Sequence, residues 1–271
     1  MRQRFTLVMI SLAMVLLVPA SLRSDELTLK DGRKIEWKTI TDAGDTYEIE
    51  TAQGTKLSVK KADVEKFTPT APLPPLTGAS FTFDPKKVKL VTIDLLQKID
   101  PKRDTVTGSW RGGGGGITGT GGVNALAKLQ TTYTPPEEYD LTLEITRKEG
   151  AENIAIGIIG GGRQFAFELD CLTSTWSGPH VLDGKEYPGS SGVGVPGKLF
   201  TNGKPRVFTF MIRKEVLIVR LDGKDWFPWK AEWNRLNLHP SCAVTSKNTL
   251  FFVVGAGTYQ IGKAAVVAPK E

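Results

Sequence analysis

Apolar and polar residues alternate with a period of two along most of this chain, which sends successive side chains to opposite faces and marks strands with one wet face. The cleanest run spans residues 138–146, where Tyr139, Leu141, Leu143 and Ile145 alternate with Asp140, Thr142, Glu144 and Thr146. Nearer the start, Ile35, Trp37 and Thr39 alternate with Lys34, Glu36 and Lys38. The period resumes through Tyr47, Ile49 and Thr51, and again through Leu57 and Val59 after Gln53-Gly54. Four short strands are therefore predicted within residues 25–67, and residues 61–66 could add a helical turn. Residues 153–159 and 163–169, joined by Gly160-Gly161-Gly162, predict a hairpin. Residues 204–224 predict two more turns, at Lys214-Glu215 and at Asp222-Gly223, the second dipeptide supplying the positive φ that a two-residue turn needs. The one helix predicted in the second half is residues 93–99, which stops before Asp100-Pro101.

Two segments break the pattern. Residues 68–76 carry four prolines, each fixing its own φ and biasing its predecessor away from helix, so they read as a stiff spacer. The chain then divides into a small β unit at 25–68, a linker at 69–86 and a larger β unit at 87–268. Before them, Arg2 and Arg4, an apolar run over 5–18 and the exit Val18-Pro19-Ala20 have the form of a secretory signal over residues 1–20. The run falls short of the roughly 18 apolar residues of a spanning helix. Cleavage after Ala20 is expected, leaving an extracytoplasmic chain without a membrane span; retention as an anchor is the alternative.

Composition changes this picture little. The net charge of +6 includes Arg2 and Arg4, so the mature chain stands at +4. Its basic residues are scattered without a phosphate-tracking run, which argues against nucleic acid. The two cysteines, Cys171 and Cys242, leave two readings equally open: one disulfide closing a loop of about 70 residues and stabilising by roughly 4 kcal/mol, or two buried thiols.

The run Gly112–Gly116 raises the question of a phosphate loop. Such a loop ends in Gly-Lys-Ser/Thr and opens a helix, whereas residues 112–122 contain no lysine and lead into a β-leaning segment at 125–133. These glycines are expected to form the loop of a hairpin between residues 107–111 and 117–118. The two histidines, His180 and His239, stand in no nucleophile or metal motif, and no acidic calcium loop is present. No cofactor, metal or catalytic residue is expected.

Residues 25–67, of the form "LxDGRxIxxxxxxxxDxYxIxTxxGxxxxVKKxDVExF", resemble the small SH3-like β modules of exported bacterial proteins. The hairpin "VxFxxRKxxVxVxLDGK", preceded by "NGKPR" and followed by "LFFVVGAGTYQI", resembles the concanavalin A-like, laminin G-like sandwiches over residues 92–267. The resemblance implies an all-β jelly roll. Glycosidases of that fold carry E-x-D-x-E or E-x-D-x-x-E on one strand, their acids on one face. Here Glu168 and Asp170 match the first two acids, but the third falls on Leu172 or Thr173, neither of which can protonate a leaving group. What remains is a ligand-binding face. Its candidates are Glu168, Asp170, Trp176, His180 and Tyr187, since sugars stack on aromatic rings while acids take their hydroxyls. Trp226, Trp229 and Trp233 are expected to cover a sandwich edge instead.

The function expected is that of an exported, non-catalytic protein recognising a glycan or another cell-surface component. A hydrolase acting on glycosides or modified disaccharides, and an assembly module without a small ligand, are the alternatives.

Overall fold

The computed structural model describes residues 25–37, 39–42, 46–51, 54–68, 80–82, 87–186 and 193–270. The expected signal segment, most of the proline spacer and Tyr187 lie outside the described residues.

The chain starts with six short strands, β1 (Asp25–Leu29), β2 (Lys34–Trp37), β3 (Thr39–Asp42), β4 (Thr46–Glu50), β5 (Lys56–Lys60) and β6 (Val64–Thr68). They pair into two antiparallel sheets, β2-β1-β6 and β3-β4-β5. Leu27, Leu29, Ile49 and Val59 are buried together in a small core of their own. Of the helical turn expected over residues 61–66, only the single 3-10 turn Lys61–Asp63 forms. From Val64 onward the chain pairs with β1 instead.

Two larger antiparallel sheets share one extensive core. The first runs β21 (Lys224–Lys230), β20 (Val216–Leu221), β19 (Pro205–Ile212), β12 (Tyr139–Gly150), β24 (Gly257–Pro269), β10 (Gly116–Gly121), β9 (Ser109–Gly113), with β7 (Leu90–Asp94) also paired to β24. The second runs β18 (Val195–Pro196), β15 (Trp176–Pro179), β14 (Arg163–Asp170), β13 (Ile154–Gly160), β23 (Phe251–Val254), β11 (Ala127–Gln130), β8 (Thr105–Thr107). A small third sheet holds β17 (Lys185–Glu186), β16 (Val181–Leu182) and β22 (Leu236–Asn237). The fold is an all-β jelly-roll sandwich, the class expected from the sequence.

The alternation explains the packing. Tyr139, Leu141, Leu143 and Ile145 of β12 are all buried in the core, as are Ile154, Ile156 and Ile158 of β13 and Phe165, Phe167 and Leu169 of β14 facing them. The Tyr139 hydroxyl reaches across to β13, donating to the Ile159 carbonyl (2.9 Å) and accepting from the Ile159 N–H (3.1 Å). Burial there pushes the phenol's pKa well above its ordinary value. On β24 the inward set changes parity, from Tyr259 and Ile261 to Ala264, Val266 and Ala268. The register against β12 shifts between Glu144 and Ile145, leaving Gly262 as the extra residue of a β-bulge.

The second sheet is covered on its outer face as well. Ala155, Ala166, Phe251 and Val253 are buried there with Cys242, against the partly buried Leu126, Leu238 and Val244. This is why "NIAIGIIG" and "LFFVV" are nearly unbroken apolar runs.

Two expectations about local structure are corrected. Residues 93–99 are not a helix: Ile93 and Asp94 end β7, and a turn closed by Lys98 N–H and Ile99 N–H on the Leu95 carbonyl follows. The helix begins at the proline, as α1 (Pro101–Asp104), with the Asp100 side chain accepting from Lys102 N–H and Pro101 in its first turn, where a missing N–H costs nothing. The glycine loop is shorter than expected. Gly112 and Gly113 belong to β9 and Gly116 to β10, so the turn is Gly114-Gly115 alone, both with positive φ (62° and 81°).

Candidate functional site

The four described residues expected to form a ligand face are all buried: Asp170 lies in one polar network, Glu168 and His180 in another, and Trp176 packs against glycines. Asp170 ends β14 with φ +57°. Its carboxylate accepts from Arg147 Nη1 (3.0 Å) and from the backbone N–H groups of Leu199 (2.5 Å) and Phe200 (3.0 Å). Arg147 is 1% exposed. It donates further to Asn202 Oδ1 (2.7 Å), Ser174 Oγ (2.8 Å) and the Phe200 carbonyl (2.7 Å). The carboxylate and the guanidinium are thus consumed by each other and by the chain around them, which is how a buried ion pair must be satisfied. The turn after Asp170 runs through Leu172, Thr173 and Ser174, all with positive φ (52°, 61°, 63°). Trp176 is buried against Gly178 and Gly194, where it fills the space a Cβ would need.

Glu168, two residues earlier on β14, belongs to the second network. Its Oε1 is 2.8 Å from His180 Nδ1, and Oε2 accepts a short hydrogen bond from Asn153 Nδ2. Cys242 Sγ stands 3.6 Å from the same His180 nitrogen. Ligand atoms of Glu168, His180 and Cys242 all lie within 4.8 Å of one another. The His239 ring stacks on His180 with centroids 4.8 Å apart and planes 19° apart. The group is not a nucleophile, base and orienting acid in series: Cys242 and Glu168 face the same imidazole nitrogen rather than opposite ones. Burial, then the Glu168 charge, push the Cys242 thiol up to about 12. Cys171 and Cys242 are both buried and are not bonded to one another. Ellman titration is expected to find no fast-reacting thiol in the native chain and two after denaturation without reductant; a denatured chain with none would restore the disulfide.

The tryptophans after Asp222-Gly223 belong to the core. Trp229 and Trp233 are buried edge to face, 5.8 Å apart, and Trp233 Nε1 donates to the Lys214 carbonyl (2.7 Å).

An open site lies elsewhere. On the outer face of the first sheet, Arg111, Gly112 and Gly113 of β9, Thr118 and Thr120 of β10, Glu149 of β12 and Thr258 of β24 line a depression of about 500 Å³. Cross-strand register builds it, pairing Arg111 with Thr118, Thr120 with Thr258 and Thr258 with Glu149. The Thr120 and Thr258 hydroxyls are 3.2 Å apart, and Gln260 Nε2 closes one end by donating to the Gly114 carbonyl (3.0 Å). β9 is the sheet's edge strand, and its glycines carry no side chain to keep a ligand off the backbone. Thr118 and Thr120 carry a legible sign, since "ITGTG" alternates hydroxyls with an apolar set; their partners come from the fold alone.

No protein-family model and no curated protein sequence matches this chain. Among solved structures it is similar to the carbohydrate-binding module CBM66 from Bacillus subtilis, with 13% identity over 59% of this chain and 91% of that one and a TM-score of 0.42. It is also similar to the Emp47p carbohydrate recognition domain, with 13% identity, coverage of 66% and 95% and a TM-score of 0.43. A third likeness is to the Crh5 transglycosylase without ligand, with 10% identity, coverage of 67% and 85% and a TM-score of 0.45. Likenesses this distant say nothing of a ligand.

Proposed function

We propose that this is an exported, non-catalytic binding protein whose concanavalin A-like sandwich recognises a glycan or a similar polyhydroxylated surface component. An SH3-like unit at 25–68 and a proline linker at 69–86 would set the sandwich, 87–268, apart from the N-terminal end. The observation that carries the reading is the depression on β9, β10 and β24. Its hydroxyls, one guanidinium and one carboxylate offer the donors and acceptors that sugar hydroxyls take, and its glycine edge admits close approach. It contains no imidazole or thiol and a single carboxylate, so it lacks the pair of acids that glycoside hydrolysis uses. Glu168 and Asp170 are engaged inside the protein, which favours binding over hydrolysis.

A glycan array probed with the mature chain is expected to give specific hits. Arg111→Ala and Glu149→Ala should each weaken the best hit roughly tenfold or more, because a hydrogen bond to a charged group is worth about 1.5–3 kcal/mol. Trp176→Phe, inside the sandwich, should leave it unchanged. An array without hits, or binding indifferent to both depression variants, would overturn the proposal.

A further inference from the structure

Glu168, His180 and Cys242 form a buried polar cluster that the binding depression does not use. They come from three separated pieces of chain: the middle of β14, the residue after β15, and the 3-10 turn Pro240–Cys242. They are 1%, 3% and 2% exposed. A carboxylate held this deep needs a positive partner, yet among the described residues no lysine or arginine bonds to Glu168, whose contacts are His180 and Asn153. An imidazolium proton, a proton on the carboxyl itself or a metal cation must balance it.

The donor set favours the cation. One thiolate sulfur, one imidazole nitrogen and one carboxylate oxygen are the ligands of borderline-soft divalent metals, and of zinc above all. One of the three distances agrees as it stands. Zinc bonds of about 2.3 Å to sulfur and 2.0–2.1 Å to nitrogen at a tetrahedral angle place those two atoms about 3.6 Å apart. Cys242 Sγ and His180 Nδ1 are 3.6 Å apart. The same geometry asks for about 3.3 Å between nitrogen and oxygen, against 2.8 Å from His180 Nδ1 to Glu168 Oε1. The third pair is further off: the same geometry asks for about 3.6 Å between sulfur and oxygen, against ligand atoms that lie within 4.8 Å of one another. Glu168 would have to withdraw by about half an ångström from His180 and swing by about an ångström toward Cys242, exchanging a hydrogen bond for a metal bond.

The surroundings hold the three ligands in place. Asn153 fixes the second Glu168 oxygen, as an outer-shell partner orients a ligating carboxylate. The stacked His239 ring sets the plane of His180. His239 is itself committed, with Nδ1 2.6 Å from Ser241 Oγ and Nε2 2.9 Å from Glu186 Oε1. We infer that Glu168, His180 and Cys242 bind one divalent transition metal of the zinc class, which locks the 236–244 segment onto the outer face of the second sheet.

Cobalt(II) tests this, because a thiolate ligand gives it a charge-transfer band in the near ultraviolet. The untagged full chain, stripped with chelator and kept reduced, is expected to bind one equivalent of Co2+ with that band, and Zn2+ should then displace it. Cys242→Ser should abolish the band, whereas Cys171→Ser should keep it. Glu168→Gln should retain the band while weakening affinity at least tenfold, which separates loss of a ligand from loss of the fold. Wild-type chain that develops no band and retains no zinc on dialysis would overturn the inference, leaving a proton to balance Glu168. A band that survives Cys242→Ser would overturn it equally.

Discussion

Arg147→Ala is expected to cost about 3–5 kcal/mol of stability, the range found when one partner of a buried ion pair is removed. The loss exceeds that of the guanidinium's own contacts, because the Asp170 carboxylate stays behind, fully buried, with only the Leu199 and Phe200 N–H groups to hold its charge. A second contribution comes from the backbone. Leu172, Thr173 and Ser174 adopt left-handed conformations that cost roughly 1–2 kcal/mol per residue, and Arg147 ties Ser174 to Asp170 across that turn. Urea unfolding followed by tryptophan fluorescence reads the result, since five of the six tryptophans lie beyond residue 87. Pairing Arg147→Ala with Asp170→Asn should cost less than the sum of the single changes, because the second removes the charge that the first strands. A midpoint unchanged by Arg147→Ala would show that the network is not under this tension.

Arg147 also shows how far the sequence could be read. The period that places Tyr139, Leu141, Leu143 and Ile145 in the core runs on to residue 147, so an arginine falls at an inward position of a strand. That is a sign of a buried charge, but its partner stands 23 residues away at the end of another strand, and alternation carries no information across sheets. The strands and hairpins were legible because each depends on residues within a few positions: Gly161-Gly162 and Asp222-Gly223 turn where positive φ is available. The helix over residues 93–99 was misplaced because its apolar spacing fitted a helix while pairing of β7 with β24, more than 170 residues on, decided otherwise. The acids of β14 looked like a ligand face for the same reason. Alternation predicts which side of a sheet a residue takes, not whether a loop such as 236–250 later covers that side. Glu168 and His180 stand among the sequence candidates, but nothing in the sequence joins Cys242 to them, since the three meet only when that loop closes.

Gly108→Ala should destabilise the protein by about 2–4 kcal/mol, whereas Gly115→Asn, seven residues on, should cost less than about 1 kcal/mol. Gly108 is where the chain leaves β8 of the second sheet and enters β9 of the first. Its φ is +72°, and a Cβ there would stand 2.5 Å from Ala127 Cα and 2.6 Å from Ala127 Cβ. Ala127 is fully buried and paired with Val254, so neither chain can retreat without opening the sheet. The substitution adds the left-handed cost of an L-residue to an overpacking cost of about 1–3 kcal/mol. Gly115 also has positive φ, but nothing lies within 4 Å of its missing Cβ, and asparagine tolerates the left-handed region. Thermal denaturation of the two variants against wild type measures the difference. Equal losses would mean that the glycines around this corner act through backbone conformation alone, and that the close crossing between the sheets is not what demands a glycine at position 108.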